Sequence, residues 1–112
     1  MYTFFKGRKL ESKIRIGLLV DYLESEYSDS LIKGVSTFCK TKGISLYIFF
    51  VGEIKNVFEG IEKADVAIDF SLPSTAVENI SACFNNNIPV ISGTTGWLEH
   101  YNSITDLCKE KD

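Results

Sequence analysis

Short apolar runs separated by helix-length amphipathic segments constrain the fold of this chain more than any other feature. Residues 14–20, 44–51 and 66–70 read IRIGLLV, ISLYIFFV and VAIDF, and a shorter run covers 89–92. Near-continuous apolar runs of this length are typical of strands that are buried on both faces of a parallel sheet. Four such strands alternating with helices predict right-handed βαβ units, and therefore a doubly wound, flavodoxin-like or Rossmann-like α/β sheet. The expected strand order is 2-1-3-4.

Helical periodicity follows the first two of these strands. Ser28 or Asp29 is expected to cap the first helix, and Gly43 follows it in the preferred position after a helix. A short amphipathic helix is expected around residues 54–61. The apolar positions of the first helix are Leu31, Ile32, Val35, Phe38 and Cys39, and those of the second are Ile54, Val57, Phe58 and Ile61.

Two further helices complete the predicted pattern. Pro73 opens the third, with Thr75 and Glu78 in capping-box spacing. The last helix follows the turn Gly93-Thr94-Thr95-Gly96. The inward positions are predicted to be Ala76, Val77, Ile80 and Phe84 in the third helix and Trp97, Tyr101, Ile104 and Cys108 in the last.

Length and composition predict one domain over residues 1–112, in which 1–12 is a tail or edge segment that the pattern does not place. The net charge of −3 argues against nucleic acid or an anionic membrane as a partner. Three cysteines without CxxC spacing predict no zinc site, and we expect all three to be small core residues in a reducing compartment. The sequence shows neither a leader nor an apolar run of about 18 residues, so a cytoplasmic location is expected.

Ligands of open α/β sheets collect in the crevice beyond the carboxyl ends of the strands. A dinucleotide's diphosphate needs a glycine-rich loop after the first strand, because its oxygens must approach backbone N–H groups closely. Residues 20–27 read VDYLESEY and contain no glycine. Four carboxylates, from Asp21, Glu24, Glu26 and Asp29, would instead meet the phosphates. The sequence therefore predicts that the standard phosphate cradle is absent.

Residues 14–53 resemble the first βαβ unit of the periplasmic-binding-protein type I ligand domains of repressors and sensors. The shared features are the strand IGLLVD, a polar-aromatic loop, a helix with LIKGV and a strand after KGISL. The resemblance implies a small-molecule cleft formed by Asp21, Tyr22 and Tyr27. The alternative from the residues alone is an acidic, solvated loop with one packed tyrosine.

Residues 64–100 are similar to the nucleotide-binding domain of dihydrodipicolinate reductase. The similarity rests on the segment IDFS with a proline at 73, on EN before the helix end, and on IPVISGTTGW. It implies that Phe70, Ser71, Gly93, Thr94 and Thr95 contact the nicotinamide half of NAD(P)H, and that the turn also touches substrate. The alternative is a turn whose threonine side chains bind the first N–H groups of the last helix.

No catalytic set emerges from the remaining residues. The family's substrate domain, which bears a histidine and a lysine, would lie beyond Asp112. His100 is the only histidine, and we expect it on the surface beside Glu99. Asp65 and Asp69 lie four apart on a strand, on the same face but well separated.

The hypothesis drawn from these observations is a chimera of residues 13–53 and 54–112, joined near Val51 to Ile61, with at most weak NAD(P)H binding and no turnover. One alternative is a truncated or divergent dihydrodipicolinate reductase nucleotide-binding domain, and another is a small-molecule sensor lobe. A homodimer through an open sheet edge is also expected, and the aromatic second strand is the favoured edge.

Overall fold

The computed structural model describes residues 2–5, 8–11, 14–21, 25–51 and 60–111, the first two segments as backbone only. Six strands and three helices lie in these ranges. The strands are β1 (Tyr2–Phe5), β2 (Arg8–Glu11), β3 (Arg15–Asp21), β4 (Ser45–Val51), β5 (Val66–Phe70) and β6 (Val90–Ser92), and the helices are α1 (Glu26–Lys42), α2 (Pro73–Asn85) and α3 (Tyr101–Lys111).

The four predicted strands form one parallel sheet in the order β4-β3-β5-β6. This confirms the predicted order 2-1-3-4 and the α/β fold class. Val20 of β3 pairs with Phe50 on one side and Phe70 on the other. Leu19, one residue earlier and therefore on the opposite face, pairs with Phe49 and Asp69. The register thus brings the ends of β3, β4 and β5 to the same edge of the sheet.

The start of α1 differs from the prediction by one turn. Ser25 is the N-cap residue, and its Oγ accepts a hydrogen bond of 3.0 Å from the backbone N–H of Ser28. Ser28 and Asp29, predicted as caps, lie in the first turn instead. Both serines have the side chain that a cap requires, and the one that precedes the first turn takes the role. The predicted end is correct, since Gly43 is the C-cap residue with φ of 69°.

The start of α2 also differs in detail. Pro73 is the first helical residue, as predicted. Thr75 is the third residue of the helix rather than its cap, so Thr75 and Glu78 do not form the predicted capping box. The Thr75 Oγ1 lies 3.4 Å from the backbone nitrogen of Leu72, which occupies the cap position.

The core lies mainly between the sheet and α2. Its buried residues are Leu19, Phe49, Val51, Ile61, Ala64, Ala67, Cys83 and Ile88. Cys39 and Cys83 are buried as expected, but Cys108 is exposed. The prediction that Cys108 is a core residue is therefore wrong, because the buried stripe of α3 passes through Ile104 and leaves Tyr101 and Cys108 outside.

The first eleven residues and the second predicted helix are described only in part. β1 and β2 pair antiparallel as a two-stranded sheet of their own, so the segment that the sequence pattern does not place has strand backbone. The predicted helix of residues 54–61 lies outside the described residues except at Ile61, which begins a short 3-10 turn, Ile61–Lys63.

An ion pair joins the start of β3 to the residue before β5. Arg15 Nη2 lies 3.1 Å from Asp65 Oδ1, and the backbone N–H of Arg15 donates to Asp65 Oδ2 at 2.8 Å. The hydrogen bond from the Arg15 side chain, with that from its backbone, lowers the pKa of the Asp65 carboxyl group. Both side chains are about half exposed, so this link stabilises the register of the two strands only modestly.

None of the helices in the described ranges is both long enough and apolar enough to cross a membrane. The same ranges contain no group of three or more His, Cys, Asp or Glu side chains arranged to hold a metal ion.

Candidate functional site

A small open pocket lies beyond the carboxyl ends of β5 and β6. Its volume is about 160 Å³. Three segments line it: the end of β5 with the residues that follow, the turn after β6, and the first turn of α1. The lining residues are Tyr27, Phe70, Ser71, Pro73, Gly93, Thr94 and Thr95. The position agrees with the rule that open α/β sheets bind ligands beyond their strand ends.

The wall of this pocket depends on a close approach between Phe70 and Gly93. A Cβ atom at residue 93 would lie 2.2 Å from Cε1 of the Phe70 ring, which is far inside van der Waals contact. A side chain at residue 93 would therefore force the Phe70 ring to move, whereas glycine lets the turn after β6 lie against it. Gly96 is constrained as well, because its φ is +83° and a Cβ atom there would lie 2.9 Å from Pro73 Cβ. Both glycines of the turn thus give the site its present shape.

A buried carboxylate, Asp69, precedes Phe70 on β5 and lies outside the lining of the pocket. Asp69 is fully buried, and Oδ1 of its side chain accepts a hydrogen bond of 2.6 Å from Ser71 Oγ. Ser92 Oγ donates to Oδ2 at 2.9 Å. Asn79 Nδ2, which is buried on α2, lies 2.8 Å from Ser71 Oγ and 3.4 Å from Asp69 Oδ1. The burial of this charge is thus balanced by hydroxyl and amide donors from three elements.

Thr94 uses its polar groups to hold the turn together. Its Oγ1 accepts a hydrogen bond of 2.9 Å from the backbone N–H of Ser71, and its own N–H donates to Ser92 Oγ at 3.3 Å. Its carbonyl oxygen accepts from the Trp97 indole N–H at 2.7 Å. The Thr94 hydroxyl is therefore committed to the protein, whereas Thr95, which also lines the pocket, is exposed.

The structure brings most of the predicted site residues together. All five residues that the reductase resemblance implied, Phe70, Ser71, Gly93, Thr94 and Thr95, line the one pocket. Tyr27, from the predicted sensor cleft, lines it too. Asp21 ends β3 but is not among the lining residues, and Tyr22 lies outside the described residues. The predicted cleft of Asp21, Tyr22 and Tyr27 is thus described only in part.

The first turn of α1 bears two carboxylates, Glu26 and Asp29. Negative side chains are favourable at this end of a helix, because the unpaired N–H groups there carry partial positive charge. The same N–H groups would otherwise attract a phosphate. Ser25 caps this helix start, and Glu26 and Asp29 put negative charge where those N–H groups would otherwise favour a phosphate.

Sequence reasoning missed the buried part of the site, formed by Asp69, Asn79 and Ser92. A single carboxylate inside the apolar strand VAIDF, with one serine directly after that strand and another at the end of β6, was the available signal. His100 is exposed as predicted, with Nε2 3.4 Å from Oε1 of Glu99. It is not among the residues that line the pocket.

Comparison with known proteins gives one consistent result. The family model described as dihydrodipicolinate reductase, N-terminus, matches residues 10–111. The chain is 56% identical over 48 residues to a 4-hydroxy-tetrahydrodipicolinate reductase of Christiangramia forsetii, a match that covers 43% of this chain and 20% of that protein. It is 37% identical over 49 residues to the protein of the same name from Corynebacterium urealyticum, a match that covers 43% of this chain and 20% of that protein. It is 33% identical over 66 residues to the one from Psychrobacter arcticus, a match that covers 59% of this chain and 23% of that protein.

These matches bear on the earlier hypotheses in two ways. The family model runs through the predicted joint near Val51 to Ile61, so one family accounts for both halves and a chimera is not supported. The resemblance of residues 14–53 to periplasmic-binding-protein domains is not supported either. The matched segments span only about a fifth of the length of the relatives.

Proposed function

Because the chain belongs to the family of dihydrodipicolinate reductase N-terminal domains, we propose that it is the nucleotide-binding part of such a reductase. In this proposal the pocket beside Phe70 receives the nicotinamide half of NADH or NADPH. The observation that carries the proposal is the absence of a side chain at Gly93, which leaves the Phe70 ring and the backbone of the turn as two walls of one small pocket.

The size of the pocket supports binding of one ring rather than of a whole dinucleotide. Its volume of about 160 Å³ is below the roughly 300 to 1,000 Å³ typical of sites for drug-sized ligands. Phe70 offers an aromatic surface on which a planar ring can stack. The Thr95 hydroxyl can donate to or accept from a carboxamide. The residues present therefore fit the nicotinamide end of the cofactor.

The opposite end of the cofactor fits less well. Glu26 and Asp29 surround the helix start at which a diphosphate would bind. Each like-charge contact at a partly exposed site costs on the order of 1 kcal/mol. The proposed site therefore draws its affinity from the ring, and the phosphates weaken binding.

We propose reductase activity for the whole protein, and not for these residues alone. The relatives that carry the reductase name are about five times longer than the segments that match. The family resemblance assigns the histidine and lysine of the substrate site to a second domain. In the proposal these residues supply cofactor binding to the whole protein.

Titration with NADPH and NADH, followed through Trp97, tests the proposal. Trp97 is the only tryptophan of the chain, and its indole N–H donates to the Thr94 carbonyl oxygen at 2.7 Å. A ligand that displaces the turn, or that accepts excitation energy from the indole, should quench the fluorescence of Trp97. Phe70→Ala should weaken binding about two- to tenfold, because stacking on an aromatic ring contributes about 0.5 to 1.5 kcal/mol.

Phe50→Ala is the matched control. Phe50 and Phe70 both pair with Val20, so they project from the same face at the same height of the sheet, and Phe50 is not a lining residue. The control should bind as the wild type does. Equal affinity of the Phe70 variant and the wild type, or no saturable quenching with either nucleotide, contradicts the proposed function.

A further inference from the structure

Asp69 and Asn79 are the only polar side chains that are fully buried in the part of the chain that the structure describes in atomic detail. Asp69 lies on the α2 face of β5, whereas Phe70, the next residue, faces the pocket side. A buried carboxylate needs several hydrogen-bond donors to offset the loss of water. Asp69 obtains them from the two segments that line the pocket, through Ser71 and Ser92.

The direction of these hydrogen bonds is fixed by the carboxylate. A carboxylate only accepts hydrogen bonds, so both serine hydroxyls must direct their protons towards Asp69. Their lone pairs then face away from Asp69. Ser92 Oγ accepts from the backbone N–H of Thr94 at 3.3 Å, and Ser71 Oγ accepts from Asn79 Nδ2 at 2.8 Å. The buried carboxylate of Asp69 thus sets the direction of two series of hydrogen bonds, one through Ser71 and one through Ser92.

Both serines also contact Thr94, Ser92 through its hydroxyl and Ser71 through its backbone N–H. The backbone N–H of Ser71 donates to Thr94 Oγ1, while the Thr94 N–H points to Ser92. The Gly93 N–H donates to the backbone oxygen of Asp69 at 2.8 Å. Thr94 and Gly93 are consequently fixed relative to the end of β5, and with them the wall against which Phe70 lies.

We infer that Asp69 is a positioning residue for ligand binding, which acts through Ser71 and Ser92 to hold the turn Gly93–Thr95 at the distance from Phe70 that the nicotinamide ring requires. The inference rests on the proposed function for the identity of the ligand. The inference adds that Asp69, which lies outside the pocket on the opposite face of β5, influences the affinity for the nucleotide. An amide at position 69 would direct a donor at one serine and reverse the proton of that hydroxyl.

The test compares Ser92→Ala, Ser92→Thr and Asp69→Asn with Asp65→Asn, which removes an exposed carboxylate four residues earlier. Amide hydrogen exchange without ligand gives the first readout, and NADPH affinity from Trp97 quenching gives the second. Ser92→Ala should accelerate exchange at Thr94 about tenfold and also at Ser71, whose N–H does not contact Ser92 but binds Thr94. Ser92→Thr keeps the hydroxyl and should restore both rates.

NADPH affinity should fall about tenfold in Ser92→Ala and Asp69→Asn, and should stay unchanged in Ser92→Thr and Asp65→Asn. Ser92→Ala keeps the test available if Asp69→Asn fails to fold. Unchanged exchange at Ser71 in Ser92→Ala, or unchanged affinity despite faster exchange, overturns the inference. If the wild type binds neither nucleotide although the exchange rates change as expected, the proposed ligand is excluded and the role of Asp69 in holding the turn is supported.

Discussion

At the scale of single residues, the Asp69 carboxylate also affects a neighbouring thiol. Burial, with a smaller contribution from the charge of Asp69, raises the pKa of Cys83 to about 12. Only about one thiol in ten thousand would then be ionised at pH 8, and the thiolate is the reactive form. Cys39 is buried too, whereas Cys108 is exposed. Labelling of the folded protein with iodoacetamide at pH 8 should therefore modify Cys108 alone, and mass spectrometry of the intact chain would count the adducts.

Two controls accompany this prediction. Cys108→Ser should remain unlabelled while folded, and urea should make all of the remaining cysteines reactive. Modification of Cys83 in the native protein at the rate of Cys108 would contradict both its burial and its raised pKa.

Residue types alone could not predict the buried part of the site. The pattern places Asp65 and Asp69 on the same strand face, yet the first is half exposed in an ion pair and the second is fully buried. The difference arises from neighbours that are distant in sequence: Arg15 for Asp65, and Ser92 and Asn79 for Asp69. The residues of the pocket wall were implied by the resemblance to the reductase domain, which rests on short local motifs at the strand ends.

At the scale of elements, the four strands of the parallel sheet and the start of α2 at Pro73 were predicted correctly, whereas the start of α1 was not. An apolar run between polar segments defines a strand within a residue or two, so Ile14 to Val20 matches β3 closely. The start of α1 offers Ser25, Ser28 and Asp29 within five residues, and any of them can cap. The choice depends on where the chain leaves β3, which periodicity does not determine.

The acidic first turn of α1 leads to a prediction about specificity. Replacing Glu26 by Gln and Asp29 by Asn should raise the affinity for NADPH about tenfold, because two repulsive contacts of about 1 kcal/mol each, reduced by screening, are removed. Calorimetric titration at low and high salt would measure the change. Reduced nicotinamide riboside, which has no phosphate, should bind equally to both proteins. The helix should lose about 0.3 to 1 kcal/mol of stability per carboxylate.

A control with the same change in net charge exists on α3. Asp106→Asn combined with Glu110→Gln removes two exposed carboxylates of the described chain that do not line the pocket. This variant should leave NADPH affinity near that of the wild type. If it raises the affinity as much as the α1 variant does, net charge and not the helix start controls binding.

At the scale of the whole molecule, the four-stranded sheet ends at β4 on one side and β6 on the other. A strand at a sheet edge presents unpaired N–H and C=O groups, which can pair with another copy of the chain. β4 has seven residues without proline, whereas β6 has three and follows Pro89. Tyr47 and Phe50 of β4 are also partly exposed, at 38% and 47%. The longer edge with exposed aromatic rings is the better candidate for self-association.

We therefore expect a concentration-dependent homodimer through β4, measurable as a rise in mass by light scattering during size-exclusion chromatography. Tyr47→Lys should shift the protein to monomer, because a charge on an edge strand must be desolvated when a second strand pairs with it. Leu98→Lys places the same charge on a side chain that is 71% exposed and outside the sheet, and should leave the dimer intact. A wild type that stays monomeric at every concentration would exclude the β4 interface. If Tyr47→Lys leaves the dimer intact and Ile91→Lys dissociates it, the interface lies at β6, where Ile91 is 65% exposed.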